Sequence, residues 1–440
     1  MNANGALTHR SLGILLAAVA SGLPFAAHAV QPLSAFIRAA RTQNPDNLKA
    51  RANLEQQQAQ ADVALGRVLP GISAKGNYVR NQYASSLSLA LDPTAPPLSF
   101  TLQRRDLLIG SAMVSVTLVD LASFQRVAAS RTSAEAFAKQ AEATALQVEA
   151  QVAQGYFQLM ANLALVASSQ RALDVARASL RLTQAQLQAG TATLLEVERA
   201  NAQVESQVQS LASAELQVAL SARALQSASG LAPEALVAAD FQEDLREEPG
   251  LDTFSPPDPE LPSIAAAMKS REAAEQQARA QRLSLLPSIG GSFTEYATNT
   301  PGFVNHDYYW QAGVGFTWQL DLTNFANIRS QDASAAAARA TEQSARLFAR
   351  DAIYRYWNTV HADIATSRSA RAQARASEHA AFLAQQSYEV GTATQLDLLQ
   401  AIRDAYSADV SRIQADADLA NARAQLRLAA GRDPYAGDAR

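Results

Sequence analysis

The sequence predicts a mainly α-helical chain that also carries β-hairpins with a lipid-facing side, built as two copies of one plan. Three observations lead there. Proline-free helical patterns run from Leu121 to Gly190 and from Leu322 to Gly391, far longer than a globular core can use. A short turn motif ends each of them, and the two motifs lie at a constant offset of 201 residues. The segment from Trp310 to Trp318 alternates strictly between large apolar and small or polar residues, the period of a strand.

The turn motif reads Gly391-Thr392-Ala393-Thr394-Gln395-Leu396-Asp397 in the second half and Gly190-Thr191-Ala192-Thr193-Leu194-Leu195-Glu196 in the first. Glycine can take positive φ and close a helix, and Thr392 or Thr394 can cap the next one. Asp397 then falls in a first turn, where the helix dipole favours an acid. Each motif predicts a tight helix-turn-helix tip. The same offset aligns Ala200 with Ala401, Leu225 with Leu426 and Gly230 with Gly431, and upstream Asp120-Leu121 with Asp321-Leu322. A register held without gaps over such a span marks an internal duplication.

Taken in order, residues 1–29 read as a secretory signal. Arg10 supplies its positive charge, Leu12 to Ala27 its apolar run, and Ala27-His28-Ala29 a small-residue cleavage site. The run is short for a membrane-spanning anchor, and the expected mature start is Val30. Loss of Arg10 takes the net charge from −4 to −5; with no basic block, nucleic acid is not an expected partner. The absence of cysteine fits an exported chain and excludes a lipid-modified N-terminal cysteine.

The first repeat spans 33–230. A helix over 33–66 turns or kinks at Asn44-Pro45, and Pro70-Gly71 ends it. A hairpin follows over about 68–119: Ile72, Ala74, Gly76 and Tyr78 alternate with Ser73, Lys75, Asn77 and Val79, and Ala112, Val114, Val116 and Leu118 alternate with Ser111, Met113, Ser115 and Thr117. Between these strands, Ser85 to Phe100 holds Pro93, Pro96 and Pro97 and reads as a loop. The long helix, the tip at 190 and a return helix to Gly230 complete the repeat. Residues 231–261, acidic and rich in proline, read as a linker. The second repeat spans 262–431, with a helix over about 262–285, a hairpin over about 287–320 and its tip at 391; residues 432–440 form a tail.

In the last strand Trp310, Ala312, Val314, Phe316 and Trp318 share one face, and Gln311, Gly313, Gly315, Thr317 and Gln319 the other. A soluble sandwich strand with one face in a core would alternate likewise. Two features favour lipid: the second face is small and polar, as in a barrel lumen, and tryptophans stand at both ends of the apolar face. Eight residues at about 3.4 Å each, tilted by about 40°, set the indoles roughly 21 Å apart, close to the ~25 Å apolar band between aromatic girdles. Trp310, Val314, Phe316 and Trp318 are therefore the candidate lipid-facing girdle. Four strands cannot close a barrel alone, since small barrels have eight, so the chain must associate or leave open edges.

Chemistry of other kinds is missing. The histidines beyond the signal, His306, His361 and His379, form no ligand-spaced cluster. There is no GxSxG and no phosphate-cradling glycine loop. The sequence predicts neither an enzyme nor a metal or cofactor site.

These motifs resemble the TolC family of outer-membrane efflux proteins. The resemblance rests on the doubled Gly-Thr-x-Thr-x-Leu-Asp/Glu tip, the Leu-Pro-x-Ile entry before each hairpin, and the Asp-Leu after each second strand, and it covers about residues 33–431. One departure is that the family's Phe-Asp-Gly-Gly reads Val119-Asp120-Leu121-Ala122 and Leu320-Asp321-Leu322-Thr323 here, which bears on the local turn. The resemblance implies a homotrimer whose chains each give four strands to a shared twelve-stranded barrel in the outer membrane, with the helices forming a long periplasmic tunnel. It implies an exit duct of a tripartite efflux or type I secretion system, engaged by a periplasmic adaptor and an inner-membrane transporter. A structural or adhesive surface coiled coil is the alternative, although a rod would not need paired hairpins at one end.

The resemblance also places Asp397 on the pore axis at the periplasmic aperture, with Gln400 and Asp404 continuing its stripe at helical spacing and Glu196 adding an acid from the first repeat. Arg199 and Tyr388 are candidates to bond across helices and hold the tips together. A helix cap alone would account for Asp397 equally well. The tip turns Gly190, Thr191, Ala192, Gly391, Thr392 and Ala393, with Ala189 beside them, are the expected docking points for adaptor helices.

Overall fold

The structure is a computed structural model of the 440-residue chain. It describes residues 30–434 except 90–97, 235, 238, 301–303 and 305. The expected signal segment, the end of the tail, and the loop residues Pro93, Pro96, Pro97, Pro301 and Gly302 lie outside the described residues.

Helix α1 (Leu33–Gln43) stops where Asn44 turns to extended backbone, and the Asn44 side chain accepts the Asp46 N–H to start α2 (Pro45–Gly66). The proline at the first position of α2 needs no intrahelical donor there, so a break follows instead of a kink in one helix. Strands β1 (Gly71–Arg80) and β4 (Asp106–Val119) form the first hairpin. The segment expected as a loop is partly ordered: β2 (Ser85–Leu89) and β3 (Leu98–Gln103) pair antiparallel as a separate ribbon, their Ser/Leu and Leu/Phe alternation overriding the prolines between them.

Helix α3 (Leu121–Gln188) and its counterpart α6 (Leu322–Glu389) are each 68 residues long, about 100 Å. The two departures after the second strands are N-caps: Asp120 accepts the Ser123 N–H at 2.9 Å, and Asp321 the Asn324 N–H at 2.9 Å. Return helices α4 (Leu194–Ser229) and α7 (Gln395–Ala429) run back along them, and α5 (Pro262–Leu283) precedes the hairpin of β5 (Ser288–Thr298) and β6 (Tyr308–Thr317).

The four long strands make one antiparallel sheet in the order β1-β4-β5-β6. Its register puts Trp310 opposite Glu295, Ala312 opposite Phe293, Val314 opposite Gly291 and Phe316 opposite Ile289, while Val114 and Val116 meet Phe293 and Gly291 from the other side. Directly paired residues share a face. Ile72, Val114, Val116, Phe293, Val314 and Phe316 therefore form one apolar surface, and Ser73, Ser115, Thr117, Ser292, Thr294 and Gln311 one small polar surface.

Beyond the sheet, α3 lies between α2 and α5, and α5 packs on α6; toward the tips α3 lies between α4 and α7, and α7 packs on α6. Two larger cores, with three smaller clusters toward the tips, hold these contacts among the described residues. Phe36, Ile37, Val148, Val152, Leu159 and Leu225 join α1, α3 and α4, and Ile264, Ile353, Val360, Leu419 and Leu426 join α5, α6 and α7. The single chain thus ends on one side in β1, α2 and α4, and on the other in β6 and α6.

The expected linker is not a loose tether. Its 239–249 stretch lies along α6 and α7 and is held chiefly by arginines of those helices. Arg412 reaches the Phe241 carbonyl and the Asp240 carboxylate, Arg423 the Asp244 and Arg246 carbonyls and Glu243, and Arg371 the Glu243 carbonyl. Trp357 adds an indole bond to Pro249 at 3.0 Å. An acidic stretch without helical or strand pattern finds its backbone partners in a basic helix face.

Candidate functional site: the helix tips and the membrane face

Each tip uses its two threonines for different ends. Gly190 and Gly391 both sit at φ 78° and close the incoming helices. Thr191 and Thr392 donate through N–H and hydroxyl to the carbonyls of Gln186 and Ser387, satisfying the last turns of α3 and α6. Thr193 and Thr394 then cap α4 and α7 from their hydroxyls, accepting the Glu196 and Asp397 N–H groups at 3.3 and 3.2 Å. The acids reciprocate. Glu196 Oε2 accepts the Thr193 N–H at 2.6 Å, and Asp397 Oδ2 accepts the Thr394 N–H at 3.1 Å and its hydroxyl at 2.6 Å. Both tips are capping boxes.

The Asp397 carboxylate is therefore committed to the cap through one oxygen, in addition to the dipole effect. The Thr394 hydroxyl and N–H beside it hold its pKa below the ordinary carboxylate value. The side chain stays exposed and charged, and Gln400 and Asp404, joined at 2.9 Å, lie exposed above it. Arg199 is exposed and makes no hydrogen bond among the described residues. Tyr388 is buried against Leu182, Ala384, Leu398 and Ile402, with no partner for its hydroxyl. Within the described residues neither makes a hydrogen bond across the tips, although Tyr388 packs on Leu182 of the other one.

Two residues that the sequence reading passed over do so. Gln395, 2% exposed, donates its amide to the Glu196 carbonyl, and Arg403 donates to Gln203 Oε1 at 2.9 Å. A glutamine directly after a capping threonine is an ordinary surface pattern, and only the approach of α4 to α7 turns it inward. Gly190, Thr191, Gly391 and Thr392 are exposed, and Ala192 and Ala393 half-buried.

At the other end Trp310, Val314, Phe316 and Trp318 are 66%, 75%, 67% and 56% exposed, an apolar stripe that no described residue covers. Trp310 stacks on Phe293, and the Trp318 indole, just past β6, donates to the Leu285 carbonyl at 3.0 Å. An indole with its ring in an apolar layer and its N–H on a polar partner suits a membrane–water boundary. No described helix is long and apolar enough to cross a membrane, and the described residues hold no His, Cys, Asp and Glu cluster able to bind a metal.

Comparison with known proteins adds three findings. A sequence model of a family described as outer membrane efflux protein matches residues 36–231 and 260–432. No curated protein sequence gives a significant match. Among solved structures, the chain is similar to the CmeC outer membrane channel of Campylobacter jejuni (TM-score 0.76, 18% identity, covering 91% of this chain and 86% of that one). It is also similar to the outer membrane protein VceC of Vibrio cholerae (0.74, 20%, covering 91% and 96%) and to the open state of the MtrE channel of Neisseria gonorrhoeae (0.73, 21%, covering 92% and 90%).

Proposed function

The chain belongs to the outer membrane efflux protein family and is an outer-membrane efflux duct with helices reaching into the periplasm, and on that premise we propose that it works as a homotrimer. The carrying observation is the pair of open sides. Strands β1 and β6 are the two unpaired edges of the sheet, and each edge continues into an unpartnered helical side, α2 and α4 below β1 and α6 below β6. Unpaired strand edges in a membrane leave backbone groups without hydrogen bonds, at several kcal/mol each. Pairing β6 of one copy with β1 of the next removes both edges, and three copies give twelve strands, enough to enclose a lumen. Exposed apolar side chains on both helical sides, Leu216 and Leu220 on α4 and Leu347 and Phe348 on α6, support the same junction. A surface rod is not favoured, because it would leave the bare stripe on β6 without a role.

The proposal extends to the tips. Asp397, Gln400 and Asp404 form an acidic stripe at the aperture, with Glu196 near it, and three copies bring three Asp397 carboxylates around one axis. Like charges at close range repel unless cations or hydrogen bonds sit between them. The resting duct is therefore narrow and cation-selective, and divalent cations block it from the periplasmic side. Arg199, exposed and without a hydrogen bond among the described residues, faces a partner in the neighbouring copy, whereas Tyr388 holds the tips together by packing inside its own chain. The tip turns receive the helices of a periplasmic adaptor, which joins the duct to an inner-membrane transporter.

Light scattering from detergent-solubilised protein tests the assembly, with three chains expected per particle and a single chain overturning it. Planar-bilayer recording tests the aperture: Asp397→Ala is expected to lower both cation selectivity and divalent block, and unchanged traces would reduce Asp397 to its cap.

A further inference from the structure

We propose that Lys75 makes the barrel an anion-drawing passage, opposite in sign to the acidic tips, and is the residue by which the barrel favours negatively charged solutes. This rests on the membrane and trimer reading of the sheet. Strands β1, β4, β5 and β6 carry four charged side chains, Lys75, Arg80, Asp106 and Glu295. The register assigns each of them to a face. Arg80 pairs with Asp106 and lies on the side of Ile72, and Glu295 pairs with Trp310. Those three belong to the apolar side. Lys75 pairs with Ser111, Ser111 with Tyr296, and Tyr296 with Tyr309. That row lies on the side of Ser73, Ser115 and Gln311, which faces the lumen. Lys75 is therefore the one formal charge that these strands turn toward the lumen.

No described acid neutralises it. Lys75 is exposed and has no ion-pair partner among the described residues. Its row continues in hydroxyl groups, Ser111 beside it and then Tyr296 and Tyr309, whose rings stack with centroids 5.0 Å apart. Asp307 stands in the turn before β6, at the exterior lip and past the end of the strands. Threefold symmetry sets three copies of Lys75 at one height, whatever the stagger between strands. Twelve strands about 4.8 Å apart, tilted by about 40°, make a wall of roughly 12 Å radius. The screening length in 0.1 M salt is about 10 Å, so the field of three ammonium groups reaches most of that lumen. Low-dielectric walls focus such a field, and rings of lysine or arginine are the device of anion-conducting pores. An anionic solute that has passed the acidic tips is drawn on by the barrel, and a cationic one is not.

The chain has no cysteine, so an introduced one is its sole thiol. Ser111→Cys, directly opposite Lys75, reports the local potential through its rates with an anionic and a cationic methanethiosulfonate of similar size. The rates are measured on the full chain in proteoliposomes. In 0.1 M salt the anionic-to-cationic rate ratio is expected to fall about fivefold when Lys75→Gln is added, as one unit charge about 7 Å away in water predicts for two reagents of opposite sign. The ratio cancels any change in thiol ionisation, and comparing the two backgrounds cancels what the tips contribute. In 1 M salt the difference should shrink toward nothing, because the screening length drops to about 3 Å. Ser73→Cys, two residues from Lys75 on the same face, gives the same reading should Ser111→Cys impair assembly. An equal ratio with and without Lys75 would overturn the proposal. Failure of the membrane or trimer reading would look different: Ala112→Cys, on the apolar side, would react with both reagents and Ser111→Cys with neither, or light scattering would find one chain per particle.

Discussion

The two return helices are copies in sequence and opposites in surroundings. Helix α7 buries 17 of its 35 residues, and α4 buries 9 of its 36. At the 201-residue offset, Arg412, Asp416 and Arg423 of α7 stand where α4 has Leu211, Glu215 and Ala222. On α7 these three make the cradle for the 239–249 strap. Asp416, fully buried, accepts from Ser367 and from Arg371, and Arg412 lies 3.6 Å from it. On α4 the matching Glu215 is exposed. Duplication supplied two equal helices, and a few charged substitutions assigned one to the interior of the chain and left the other as its open side.

The largest effect should come from the buried network. Asp416→Ala leaves Arg371 and Arg412 short of their shared carboxylate and should cost about 3–5 kcal/mol, whereas Glu215→Ala should stay within about 0.5 kcal/mol. Chemical denaturation of the two variants measures this, and similar losses would mean that the return helices are equivalent after all.

Next comes the membrane face, where β6 alone bears the full aromatic stripe. Val314→Arg, in the middle of that face, should cost about 2–4 kcal/mol, and Gln311→Arg on the polar face much less. The yield of assembled protein in membranes reports the difference, and equal yields would exchange the lipid and lumen sides.

Smaller effects lie at the tips. Loss of a capping threonine costs about 0.5–2 kcal/mol, and Thr394→Ala should exceed Thr193→Ala, because the neighbouring Gln395 bridges to α4 while Leu194, its counterpart, is 64% exposed. Amide exchange at the two turns separates them. The smallest effect is acid-dependent. Since the Thr394 hydroxyl and N–H lower the Asp397 pKa, its contribution is present above the unfolded carboxylate value and fades as pH falls through the lower folded value. Exchange protection of the second tip should be flat near neutrality and decline only in strong acid; a decline near pH 6 would point to another group.

By itself the sequence determined everything that depends on neighbours along the chain. Helix length follows from the absence of proline, the tips from Gly-Thr-Ala-Thr, and the strand faces from period two. The duplication was legible from its offset, and with it the family. Contacts between distant segments were decided by the tertiary structure. The offset that aligns the helices puts Phe316 against Ser115 and Trp318 against Thr117, residues of opposite faces. The sheet resolves the conflict with a bulge between Thr117 and Val119, one extra residue in β4 that returns Val114 and Val116 to the side of Val314. The ribbon of β2 and β3, the docking of the strap and the inward turn of Gln395 were likewise hidden. The strap takes its structure from arginine donors more than a hundred residues away, and Gln395 finds its acceptor on a helix about two hundred residues earlier; no local pattern records where such partners will be.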